Sequence, residues 1–370
     1  MKRWLIPIGV FVTGAIVLGL LVMASGIIPI KASTGHWAIT KRFLTFAMAR
    51  SISTHSVGIE APENLDEPAL VMKGAGHFEL GCAFCHGSPV WQKPRVAQQL
   101  SPTPPNLNAA ASNWSPEELF YLVKHGINFT GMPAFPSQQR DDEVWSVVAF
   151  LLKLPEIEPV DYRALVSSDL SKATSTTPLA IVETCANCHG LDGTGRGTGA
   201  FPRLAGMSEP YLVATLQAYQ RGARHSGIME PIAARLNQVQ IKEIASHYSQ
   251  QEPFAIPKVS EPDVSGKHAS QAAVVRGKRI AQEGIPEQEV GACIACHKLD
   301  RAEQNPNYPA LKGQVADYLV LQLQLFQQRN RGGTEYAELM HPMSDNLKLD
   351  QMRDVAEYYA SPSLQNDEDE

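Results

Sequence analysis

Cys82-Ala83-Phe84-Cys85-His86, Cys185-Ala186-Asn187-Cys188-His189 and Cys293-Ile294-Ala295-Cys296-His297 are three copies of one five-residue pattern, and together they use every cysteine in the chain. C-x-x-C-H is the attachment signature of c-type haem. Two thiols add across the vinyl groups of one haem, and the two-residue spacer sets both sulfurs on one side of a helical turn. The histidine that follows aims a ring nitrogen at the iron. Competing chemistries fit less well. A zinc site wants two C-x-x-C pairs, or a pair with spaced histidines, close together. Here the pairs lie far apart, each with its own histidine. A thioredoxin-like redox pair sits in a βαβ context and need not repeat. The pattern implies three covalently bound haem c groups, on Cys82 and Cys85, on Cys185 and Cys188, and on Cys293 and Cys296. His86, His189 and His297 are the proximal iron ligands.

Working outward, the chain repeats itself. Phe201-Pro202-Arg203-Leu204-Ala205-Gly206 matches Tyr308-Pro309-Ala310-Leu311-Lys312-Gly313, and Tyr211-Leu212 matches Tyr318-Leu319. Leu216-Gln217-Ala218-Tyr219-Gln220 matches Leu323-Gln324-Leu325-Phe326-Gln327. Met229 and Leu236 match Met340 and Leu347, and Tyr248 matches Tyr359. The first region shares only the ends of this plan: Pro105-Asn106-Leu107, Met132 and Val148-Ala149.

A haem that only carries electrons takes a second axial ligand, usually Met, whose thioether raises the potential relative to a second His. Met132, in Thr130-Gly131-Met132-Pro133, Met229, in Gly227-Ile228-Met229-Glu230-Pro231, and Met340, in Leu339-Met340-His341-Pro342-Met343, lie downstream of each Cys-His pair, before the last helix. A methionine is more often a core gap-filler than a ligand, but the repeat alignment favours these three. Met343 is the rival in the third region, and it aligns with Ile232. His125, His225 and His341 are the rival imidazoles. The Pro-x-Leu triplets at Pro105, Pro202 and Pro309 place a carbonyl where a ligating His donates its other ring N–H.

The remaining expectations concern organisation. Trp4 to Ile30 holds no charged residue over 27 positions, long enough for a helix to span about 30 Å of hydrocarbon. Lys2 and Arg3 before it put the N-terminus in the cytoplasm, so the haem domains sit on the periplasmic side of a bacterial inner membrane. Cleavage of a signal near Ala24 is the competing reading. The expected segments are a transmembrane anchor at 1–30, a juxtamembrane amphipathic segment at 31–62, haem domains at 63–163, 164–258 and 259–362, and an acidic tail at 363–370. In the second segment, a helix over Gly35 to Arg50 lies on the bilayer, or packs on the first haem domain or a partner. Helical spacing over Asp141–Leu154, Gln238–Gln250 and Leu349–Ala360, with Ser115 capping and Pro116 in the first turn, makes the domains all-α. The glycines of Gly190 to Gly197 follow cysteines and no strand, so they wrap a haem edge and do not form a phosphate loop. A net charge of −6, from 32 basic and 38 acidic residues, gives no support for nucleic-acid binding.

These residues resemble the class I c-type cytochromes. Cys188-His189-Gly190-Leu191-Asp192-Gly193, Phe201 to Gly206, and Met229 to Tyr248 make the second and third regions similar to the halves of small dihaem respiratory cytochromes. Lys124-His125-Gly126-Ile127 and Thr130-Gly131-Met132-Pro133 resemble the single-haem domains of membrane-anchored electron-transfer subunits. The resemblance implies three class I cytochrome c domains in tandem after an N-terminal transmembrane helix. It implies electron transfer from a dehydrogenase, a quinol-oxidising complex or another cytochrome to a terminal oxidase or soluble cytochrome. The alternative is a catalytic haem enzyme, such as a peroxidase or a sulfur- or nitrogen-oxide oxidoreductase. That chemistry needs an open sixth position on iron, and three methionine candidates count against it.

Overall fold

The computed structural model describes residues 2–28, 31–252, 270–300 and 303–361. Most of the linker from Glu252 to Lys267, the boundary near 259 and the acidic tail at 363–370 lie outside the described residues. The described residues are helical, and their only β pairing is an isolated bridge between Ile285 and Val290.

Helix α1 (Lys2–Ala24) contains the stretch Ile6–Ala24, with mean hydropathy 2.5 and no cover from the rest of the protein. It is long and apolar enough to cross a membrane. Helix α2 (Ala38–His55) begins and ends later than the expected 35–50. Its C-terminal end is docked: Ile52 is buried, Ser53 donates to Glu118 at 2.5 Å, and the His55 ring stacks on Tyr121. Trp37, Ile39, Phe43 and Phe46 remain exposed.

Helices α3 (Pro68–Gly81), α4 (Pro116–His125), α5 (Asp141–Lys153) and α6 (Pro159–Val166) enclose the first core. Ser115 caps α4 as expected, and Glu118 reaches back to complete a capping box, satisfying backbone N–H groups at the start of α4. Phe78, Phe150, Leu154 and Tyr162 are almost fully buried together, and the core takes in Val166, past residue 163. Helices α7 (Glu209–Gln220) and α8 (Gln238–Ser249) pack with Ile181 and Tyr248 into a second core. Helices α9 (Gln271–Glu283), α10 (Ala316–Gln327) and α11 (Leu349–Ala360) build a third, with a small satellite of Val290, Leu347 and Met352.

Two glycines let helices cross at close range. A Cβ on Gly74 of α3 would overlap the Ser146 carbonyl of α5. A Cβ on Gly277 of α9 would overlap the Asp354 carbonyl of α11. The first and third regions thus share a crossing of their first and last helices. The second has no such long first helix: a five-residue π turn, Ile181–Cys185, leads straight into Ala186–His189.

Gly74→Ala and Gly277→Ala are each expected to destabilise the protein by about 1–3 kcal/mol through overpacking. Gly81→Ala, on the same α3 but facing open space, is expected to change stability by no more than about 0.5 kcal/mol. Urea midpoints of the three variants check this. A second expectation concerns His77, where burial, with the Lys73 charge in second place, holds the imidazole pKa down to about 3. Its Nδ1 pairs with Ser146 at 3.1 Å. The unfolded chain therefore takes up a proton near pH 6.5 that the native protein refuses. Stability is fully present above that pH and falls as pH drops toward 3, by about 1.4 kcal/mol per unit at full slope. His77→Gln is expected to remove that component from a pH series of urea melts.

Candidate haem-binding sites

Each Cys-His motif closes one tight turn. The second region's Ala186–His189 and the first region's Ala83–His86 are single α-turns, each stopped by a glycine at positive φ, Gly190 and Gly87. The third motif turns through Cys293–Ala295. The His86 and His297 amides donate back to the Cys82 and Cys293 carbonyls at 3.0 and 2.8 Å. No disulfide joins any of the six cysteines. Burial pushes the Cys82 and Cys185 thiols up to about 12, and Cys188 and Cys293 up to about 11.

The three histidines share one contact. Nδ1 lies 3.0 Å from the Pro105 carbonyl for His86, 3.1 Å from Pro202 for His189, and 3.0 Å from Pro309 for His297. Burial holds all three imidazoles below the usual histidine range, with the proline carbonyl opposing. A neutral ring that donates from Nδ1 keeps the Nε2 lone pair for a metal.

The methionines sit in different settings. Met132 stands in a loop braced against the end of α4. The Ile127 amide donates to the Met132 carbonyl at 3.1 Å, the Met132 amide to Thr130 Oγ1 at 3.1 Å, and the Phe135 amide to the Lys124 carbonyl at 3.0 Å. Gly126, at φ +64°, packs so tightly that a Cβ there would fall 2.6 Å from the Met132 carbonyl oxygen. Met229 packs on the second core beside Leu204 and Cys185. Met340 and Met343 both line the cavity that holds His297, and Met343 sulfur lies against Gly291. The rival imidazoles have other neighbours: His125 packs on Tyr121, His225 lies 3.6 Å from Glu230, and His341 Nε2 lies 3.0 Å from the Arg331 carbonyl. The glycine loop at 190–197 folds onto the segment after it, with Gly193 against Ala205 and Tyr248.

Residues 179–251 and 274–361 each match the family model described as cytochrome c. The chain belongs to the class I c-type cytochromes. Residues 69–151 match the model described as cytochrome c oxidase, cbb3-type, subunit III. A protein of Thiomonas intermedia (strain K12) called thiosulfate dehydrogenase electron acceptor is 33% identical over 180 residues, 49% of this chain and 79% of that protein. Cytochrome c-552 of Acidithiobacillus ferridurans is 30% identical, over 53% of this chain and 80% of its own length. Cytochrome c4 of Pseudomonas aeruginosa is 27% identical, over 47% and 81%.

A cytochrome c domain implies covalently bound haem c, and the residues present fit that group. Thiols stand at the first and fourth positions of one turn, a neutral imidazole follows, and at the second and third motifs an apolar cavity adjoins them. Cys185, His189 and Met229 line the same cavity as Cys293, His297 and Met340. The second cytochrome site also touches the first region. Cys188 sulfur lies against Gly76 of α3, where a Cβ would come 3.3 Å from it. Cys82 follows Gly76 by six residues, roughly 9 Å along the helix.

The Met229 loop is tied to the first region as well. Glu143, buried in α5, accepts from Ser226 Oγ at 2.7 Å and from the Gly227 amide at 2.6 Å. Ser226 Oγ in turn accepts from the Met229 amide at 3.0 Å. Arg140 pairs with Glu143 at 3.0 Å and donates to the His225 carbonyl at 2.8 Å. Burial pushes the Glu143 carboxyl up, against the pull of Arg140. Glu143 and Arg140 carry no sequence motif; the sequence showed only helical apolar spacing over Asp141–Leu154 there.

Glu143→Gln is expected to weaken this cytochrome by about 1–3 kcal/mol, the range for a buried charged hydrogen-bond partner lost. Limited proteolysis should then cut first between Ala223 and Ile228. Unchanged protection of that loop would show that Glu143 does not hold it.

Proposed function

We propose that this chain is a membrane-anchored, periplasmic trihaem cytochrome of the bacterial inner membrane that relays single electrons. Bound haem supplies one-electron Fe(III)/Fe(II) chemistry. The protein's part is to fix each imidazole as a neutral ligand, exclude water and keep the three sites in contact. His86, His189 and His297 are the proximal ligands, and Met132, Met229 and Met340 the distal ones. The observation that carries the reading is the same Nδ1-to-proline carbonyl contact, at 3.0–3.1 Å, behind all three C-x-x-C-H histidines. The apolar stretch Ile6–Ala24 supports an anchor. Separate cores in the three regions support three domains, the first of them reaching Val166; we keep 63–163, 164–258 and 259–362 as their approximate extents.

The sites lie as neighbours in the order first, second, third: the Cys188–Gly76 contact supports adjacency of the first two, and the shared cavity adjacency of the last two. The similarity to a thiosulfate dehydrogenase electron acceptor favours a dehydrogenase as donor, with a terminal oxidase or soluble cytochrome as acceptor.

Pyridine haemochrome analysis of membranes expressing the full chain is expected to give three haems per polypeptide. Cys185→Ala with Cys188→Ala is expected to give two. The oxidised protein should show the near-infrared sulfur-to-iron charge-transfer band, and Met132→His should lower one potential only. A high-spin haem in the resting protein would instead favour catalysis at iron.

A further inference from the structure

The loops that carry Met132 and Met229 meet. Phe135 stands three residues after Met132, and its ring packs on Gly227, two residues before Met229. A Cβ on Gly227 would fall 2.1 Å from Phe135 Cε1, so the second loop needs glycine where the ring arrives. His225, Ser226 and Gly227 are all held by the first region. Arg140 donates to the His225 carbonyl at 2.8 Å, and Glu143 accepts from Ser226 Oγ and the Gly227 amide at 2.7 and 2.6 Å. Glu143 and Ser226 are 4% and 2% exposed, so water does not compete for these bonds. Ser226 Oγ accepts in turn from the Ile228 and Met229 amides at 3.3 and 3.0 Å. Two hydrogen bonds therefore lead from a carboxylate of the first region to the backbone of Met229.

The matched loop of the third region is built differently. With Met229 matched to Met340, Ser226 and Gly227 fall on Ala337 and Glu338. Alanine offers no hydroxyl, and a glutamate at 227 would collide with the Phe135 ring. The third loop closes on itself instead. The Ala337 amide donates to the Thr334 carbonyl at 3.1 Å, and the Leu339 amide to the Tyr336 carbonyl at 3.2 Å. The Ser-Gly pair thus belongs to the loop that the first region braces, and its repeat partner lacks it.

We propose that Glu143 and Phe135 of the first region are positioning residues for Met229, so that the first cytochrome domain sets the distal ligand of the second haem. This rests on the reading that Met229 ligates that haem. A thioether stays on a metal only while its loop is held, because a free loop gains conformational entropy by letting go. Partners outside the ligand shell ordinarily supply that hold. Here they come from another domain, and the second site's potential depends on how the first domain is docked.

The test uses the full-length holoprotein and reads the three midpoint potentials together with the near-infrared sulfur-to-iron band. Met229→His marks the potential that belongs to the second site. Glu143→Gln, Phe135→Ala and Phe135→Leu are compared with Lys153→Gln, a control at the far end of α5. The sign of the shift discriminates. Removing a carboxylate charge by itself favours the reduced haem and raises its potential. Loosening a thioether ligand favours the oxidised haem and lowers it. Glu143→Gln should lower the second potential, cutting the reduced-to-oxidised ratio at fixed potential about tenfold, which is 59 mV for one electron. The near-infrared band should weaken with it. Phe135→Ala, which changes no charge, should lower the same potential, and Phe135→Leu should lower it less. Lys153→Gln should leave all three in place. A raised or unchanged second potential with the band intact would overturn the proposal. Should Glu143→Gln lose haem, the Phe135 variants decide, and an unchanged second potential in both would overturn it. If Met229→His leaves all three potentials where they were, the reading of Met229 as a ligand fails instead.

Discussion

A carbonyl oxygen about 3 Å from a histidine Nδ1 recurs behind His86, His189 and His297. It fixes the tautomer, so the nitrogen that points away from the backbone is the basic one. It also fixes the ring's rotation about its own turn, since a donor and an acceptor at that distance leave little freedom. Burial works alongside it by keeping the imidazoles neutral. Everything downstream inherits this placement. The segments carrying Pro105, Pro202 and Pro309 must lie against the Cys-His turn, and the chain that follows must return to cover the opposite side.

That return path differs between regions, and the difference has a physical cause. Helices α3 and α9 cross α5 and α11 at glycine, because any Cβ would enter a neighbouring carbonyl. The second region lacks a long helix before Cys185, so it has no such crossing of its own. Helix α3 of the first region takes part of the vacated role. Its Gly76 lies against Cys188 and Phe201, and Arg196 donates to the Leu165 carbonyl at 2.6 Å. The second region is therefore completed by its predecessor.

The helix class, the Ser115 cap and the three last helices were legible in the sequence, because apolar period, Pro and Ser act within one or two turns. The histidine–proline pairs were legible too, since a Pro-x-Leu triplet follows each Cys-His pair, at 19, 13 and 12 residues. The helix crossings were not, because a lone glycine in a helix looks the same whether it faces solvent, as Gly81 does, or a carbonyl, as Gly74 does. Nor were Glu143, Arg140, Arg224 and Arg331 legible as buried. Charged side chains read as solvated faces, and only contact between regions more than 80 residues apart along the chain removes them from water. For the two arginines a signal existed, their equal distance from the matched Tyr219 and Phe326, but it speaks only once the repeat is aligned to that depth.

The two interfaces handle buried charge in opposite ways. Between the first and second regions, Arg140 meets Asp142 at 2.7 Å and Glu143 at 3.0 Å, so the protein supplies both signs. Such an interface can form from the polypeptide alone. Between the second and third, Arg224 and Arg331 bring only positive charge, with tyrosine hydroxyls as neutral acceptors. Ring faces and neutral oxygens, not carboxylates, meet these two guanidinium groups. The first junction is held by ion pairs, and the second by stacking and neutral hydrogen bonds. The difference falls where the shared cavity begins, so the change in how charge is met coincides with the place where two sites open into each other.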